Sequence, residues 1–166
     1  MTTTAESSAE IGRRWIFQSY WGFGQAPSAT DFDAYGKALL ICAKGDGDLA
    51  DEERAYAVGL IAGMHGPDDV VELLKTYSGD DEIQAVIAQT QGVQASAGCL
   101  LYDTIRVSAA DGDLAPGELE RIGALADALG VGRGTVDELV EIYTQEHALV
   151  QRRLGACYPD PGNRPF

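Results

Sequence analysis

Apolar residues recur along this chain at intervals of three and four almost throughout, and nowhere do they alternate with the period of two that a half-buried strand requires. Ile11 with Trp15, and Phe17 with Trp21, predict a first helix that begins after the Thr2–Thr4 run and extends to about Trp21, after which the Gly- and Pro-containing stretch 22–27 breaks it. Ser28 or Thr30 caps a second helix whose positive end is supported by Asp31 and Asp33. Its stripe is Phe32, Tyr35, Leu39 and Cys42, ending at Lys44 and Gly45. A third helix, about 51–65, buries Ala57, Leu60, Ile61 and Met64, and Gly66 stops it. A fourth begins at Pro67, and a short fifth carries Ile83, Val86 and Ile87. After a break at Gly92 the pattern predicts a sixth helix over 94–110 and a seventh over 116–129, with Leu119, Ile122, Leu125 and Leu129 in register. The eighth and longest spans about 134–154, with Val136, Leu139, Val140, Tyr143, Val150 and Leu154 facing inward.

The pattern contains a repeat. Asp46-Gly47-Asp48-Leu49-Ala50 returns as Asp111-Gly112-Asp113-Leu114-Ala115, and Glu53 and Glu118 come after the two copies at the same distance. In this register Leu60 falls on Leu125, Met64 on Leu129, Gly66 near Gly130 and Leu74 on Leu139, so the likeness runs on into the next helices. The predicted fold is all-α, a compact bundle of about seven or eight helices built from two pseudo-symmetric helix–corner–helix repeats, about 30–78 and 94–154. An aromatic helical extension, 1–29, precedes the domain at 30–154, and an irregular tail, 155–166, ends the chain.

Each corner has a structural rationale. Glycine supplies a left-handed turn, Leu49 or Leu114 plugs the core, and Glu53 or Glu118 reaches back from the third helical position toward an alanine N-cap. The same string matches the second half of an EF-hand loop, but Cys42, Lys44, Val107 and Ala109 stand where the first ligands belong, which excludes a true EF-hand.

Charge narrows the partners. Twenty-six acidic against 12 basic residues give a formal charge of −14, a field that repels nucleic-acid backbones and anionic lipid. No stretch approaches the roughly 18 apolar residues of a membrane span, and MTTTAESSAE lacks the basic end and apolar run of an export signal. Three cysteines without close pairing predict a reduced, cytoplasmic chain.

With both corners in view, the chain resembles the TerB-like family, named for tellurite resistance and found also at the amino-terminal side of membrane-anchored DnaJ-type co-chaperones. The resemblance is carried by Ala43-Lys44-Gly45-Asp46-Gly47-Asp48-Leu49-Ala50-Asp51-Glu52-Glu53, by Ala109-Ala110-Asp111-Gly112-Asp113-Leu114-Ala115-Pro116-Gly117-Glu118 and by the Ala-Leu-Gly-Val stop at 128–131, over about residues 30–152. It implies a compact helical fold that brings the two acidic corners together, and a link to metal and chemical stress. The Lys-Gly-Asp-Gly entry of the first copy departs from the family pattern at Asp46.

Two functions fit these residues. In the first, a non-enzymatic module uses Asp46, Asp48, Glu53, Asp111, Asp113 and Glu118 to bind a divalent cation or a basic protein partner; ligation by carboxylates alone suits Ca²⁺, Mg²⁺ or Mn²⁺ rather than structural zinc. In the second, a cofactor-free enzyme or carrier holds a small apolar ligand in a pocket walled by Trp15, Phe17, Tyr20 and Trp21, with Tyr20, Lys37, His65 and His147 as acid–base candidates. One helix cannot turn five aromatics toward a single core. Some of Trp15, Phe17, Tyr20, Trp21 and Phe23 must instead close the bundle's end, wall such a pocket or meet a partner.

Overall fold

The structure is a computed structural model that describes residues 6–44, 47–112, 114–160 and 162. Among these residues there are nine α-helices, one π-helical turn and no strand. The helices are α1 (Ser8–Trp15), α2 (Ala29–Ala43), α3 (Asp51–Gly63), α4 (Asp68–Leu74), α5 (Ile83–Ile87), α6 (Gln91–Ala95), α7 (Ala97–Ser108), α8 (Pro116–Ala128) and α9 (Arg133–Cys157). No helix among the described residues is long and apolar enough to cross a membrane.

Helices α2 and α7, the leading helices of the two repeats, pack against each other at the centre. Each also packs on the second helix of its own repeat and on that of the other: α2 on α3 and α8, α7 on α8 and α3. This exchange is what a pseudo-twofold arrangement produces. It turns nine of the residues of α2 inward, including Phe32, Leu39, Leu40 and Cys42. The predicted stripe holds, widened because α2 has neighbours on nearly every side.

Among the described residues the two corners share one turn. Gly47 N–H donates to the Lys44 carbonyl at 3.1 Å, and Gly112 N–H to the Ala109 carbonyl at 3.2 Å. Both glycines sit at positive φ, +111° and +105°, where a side chain would be strained. The helix stops after α3 and α8 repeat as well. Gly66 N–H reaches the Ile61 carbonyl and Val131 N–H the Ala126 carbonyl, both at 2.9 Å. The left-handed residue that closes the turn is Gly130 in the second copy but His65 in the first, at φ 57°. Gly66 therefore comes after the stop instead of making it, and corresponds to Val131 rather than Gly130.

Three boundaries differ from the periodicity. The first helix does not run smoothly to residue 21, because a π-helical turn over Ile16–Tyr20 interrupts it. The predicted sixth helix is two: Thr90 caps α6, and the chain bends at Ser96, whose hydroxyl bonds back to the Gly92 and Val93 carbonyls. Gly92 lies inside α6, where a Cβ would collide with the Asp31 carboxylate. Finally, α9 outruns its supports: Val136 is buried, but Val150 is 38% exposed rather than inward, and Leu154 is only half-buried.

Candidate functional site

Alanine at both N-caps offers no side-chain acceptor to the first N–H groups of α3 and α8, and the cap residue's own N–H is bonded by the glutamate at the third helical position. Glu53 Oε2 accepts from Ala50 N–H at 2.8 Å and Glu118 Oε2 from Ala115 N–H at 2.6 Å, the reaching-back half of a capping box in each copy. Both side chains are buried, at 3% and 5% exposure, and they hydrogen-bond to each other. The pseudo-twofold packing thus brings the two repeats' glutamates face to face.

Two carboxylates in contact cannot both ionise cheaply. Burial first, then the hydrogen bond that protonated Glu53 donates to Glu118 and the charges of Glu118 and Asp111, push the Glu53 carboxyl up to about 8, and only the Ala50 N–H opposes the rise. The pair titrates together, holding a proton between its members at neutral pH. Asp48 and Asp111 are exposed on the corners beside it, while Asp46 and Asp113 lie outside the described residues. Among the described residues no group of three or more His, Cys, Asp or Glu side chains stands close enough together to hold a metal ion.

The other sequence-predicted residues fall apart from this pair. Phe17 is buried and Trp21 half-buried, but Trp15 and Tyr20 are 62% and 65% exposed. Lys37 pairs with Asp33 at 2.8 Å and lies over the Tyr77 ring. The His65 ring packs on Gly12 of α1, and His147 is exposed on α9, with Nδ1 3.4 Å from the Tyr143 hydroxyl. Among the described residues no hydrogen bond joins any two of Tyr20, Lys37, His65 and His147.

Two further features lie apart from the glutamate pair. The first is a buried polar chain between the repeats. Asp103 of α7, fully buried, accepts from the Tyr35 hydroxyl of α2 at 2.9 Å and from Arg106 at 2.8 Å, and Arg106 lies over the rings of Tyr56 and Tyr102. Burial raises Asp103 in spite of Arg106, and burial together with the Asp103 charge raises Tyr35 well above its ordinary value. A single acidic residue inside an apolar helical stripe was the one sign of this in the sequence.

The second is a cavity of about 490 Å³ beneath the loop 21–28, between that loop, the start of α2 and α6. Phe17, Trp21, Phe23 and Phe32 line it, with Tyr35 and Cys99. Part of this wall lies on the π-helical turn, where Phe17 is buried while Tyr20, and Trp15 just before the turn, are exposed, and Phe23 N–H folds back onto the Phe17 carbonyl at 2.7 Å.

No family model matches the chain, and no curated protein does. Among solved structures it is similar to a tellurite resistance protein from Nostoc punctiforme, at 38% identity with a TM-score of 0.87, over 96% of this chain and 99% of that one. The likeness extends into the aromatic first 29 residues rather than starting after them.

Proposed function

This chain belongs to the TerB-like family of tellurite resistance proteins, and from that premise we propose that it is a non-enzymatic binding module whose Glu53–Glu118 pair takes a divalent cation. The observation that carries this reading is the meeting of two buried carboxylates from duplicated corners, with repulsion that some positive species must relieve. Below about pH 8 a proton serves. A hard divalent ion would serve both carboxylates at once, with oxygen donors that suit Ca²⁺, Mg²⁺ or Mn²⁺ and with water completing its shell. A small ion is favoured over a Lys or Arg side chain of a basic partner because the pair is buried. Resistance to tellurite is the stated role of the solved relative. For this chain we read a stress-related module that senses or buffers a cation.

Because the ion displaces a shared proton, binding should release close to one proton per ion. Titration calorimetry of the chelator-stripped chain with Ca²⁺, Mg²⁺ and Mn²⁺, in two buffers of different protonation enthalpy, measures this directly. Saturable binding with proton release that disappears in Glu53→Gln and Glu118→Gln is the expected result. No heat and no thermal shift with any of the three ions would end the cation reading.

A further inference from the structure

We propose that the aromatic cavity beneath the loop 21–28 is a second and separate binding site, for a small organic amine with a ring-bearing apolar body. Its volume, about 490 Å³, falls within the range of small-molecule sites. The rings are arranged around the space instead of filling it. Phe17 stacks on Phe23 at 5.7 Å and meets Phe32 edge-on at 5.9 Å, while Trp21 lies 6.4 Å from Phe23 and is half-buried.

Charge selects the class of ligand. Among the described residues that line the cavity there is no Lys, Arg or His, and Asp31 is the one acidic side chain. Burial works against the Asp31 charge, but hydrogen bonds from Thr90 and Ser28 outweigh it and hold the carboxyl below its usual value, so it stays ionised. Gly92 allows this approach, since any side chain there would strike the carboxylate. An anionic ligand would meet no counter-charge and a protein of formal charge −14. An ammonium group meets Asp31 and the faces of aromatic rings, which attract cations.

None of these residues belongs to the Glu53–Glu118 pair, so the two sites stand or fall separately. The test uses the full chain at physiological ionic strength, with proflavine as cationic probe, Nile red as neutral probe and anilinonaphthalene sulfonate as anionic probe. Trp21 emission is monitored in a Trp15→Phe background, where it is the remaining tryptophan. The expected result is saturable one-to-one binding of proflavine that quenches Trp21. The anionic probe should bind at least about tenfold more weakly, a difference of one decade in Kd. Ala95→Trp and Ala26→Trp, each placing an indole in the cavity, should abolish binding, with circular dichroism and melting confirming that each variant folds. Asp31→Asn should weaken proflavine about tenfold while sparing Nile red. The proposal is overturned if no probe saturates, if both filling variants fold and still bind, or if the anionic probe binds as tightly as the cationic one. It is equally overturned if Glu53→Gln abolishes proflavine binding, which would place the cation at the corners.

Discussion

The first unit, α2–α3–α4, and the second, α7–α8–α9, share a corner down to individual backbone bonds and then part company. At the position held by Arg54 in α3, α8 carries Leu119. Arg54 donates to the carbonyls of Leu74 and Tyr77, at 3.0 and 2.7 Å, and so closes α4 after seven residues, with Gly79 at φ 72° completing the stop. Leu119 can offer no such bond. The equivalent helix α9 continues for 25 residues, past the bundle into solvent. The leading helices differ in kind. Ala38, Leu39 and Ala43 of α2 correspond to Asp103, Thr104 and Ser108 of α7, all buried, so at these three positions one repeat supplies hydrocarbon and the other polar groups. A duplicated unit keeps what its backbone needs, and the rest diverges with what each copy touches.

That contrast can be broken most easily at matched leucines. Leu74 is fully buried and its partner Leu139 only half-buried. Leu74→Ala should therefore cost about 2–5 kcal/mol by urea unfolding, and Leu139→Ala clearly less. Equal losses would mean that the outer packing of α9 matters as much as the core of the first unit. Next in size is Arg54→Leu, which imposes the second unit's residue on the first. Removal of two charge-assisted bonds should cost about 2 kcal/mol and speed amide exchange at the end of α4.

A pH series sharpens what the units share. The folded Glu53 carboxyl lies at about 8, above the ordinary 4.5 that it regains on unfolding, so the folded chain binds the extra proton between these values. Its stabilising contribution is complete below 4.5 and is lost as pH rises through 8. The metal-free melting temperature should fall across that interval, whereas Glu53→Gln should flatten the fall and melt higher than the parent on the alkaline side. An unchanged slope in the variant would show that the pair does not share a proton. The smallest effect belongs to the overhang: Leu149→Ser, at a residue 60% exposed, should shift stability by no more than about 0.5 kcal/mol.

Much of the fold was legible in the residues. The all-helical class, the duplicated corner, Ser28 as a cap and Glu53 and Glu118 reaching back to their alanine caps all come from local rules, because caps, turns and apolar periodicity act over four residues or fewer. Three things required the assembled chain. The contact between Glu53 and Glu118 spans 65 positions and arises only when the two units pack about a common axis. The cavity is walled in part by a π-helical turn, which hydrophobic period cannot distinguish from a continuous helix. The exposure of Val150, on a helix whose apolar spacing looks like core, was set by how far the neighbours of α9 extend. Sequence carries the preferences of each segment, and only packing decides which faces find a partner.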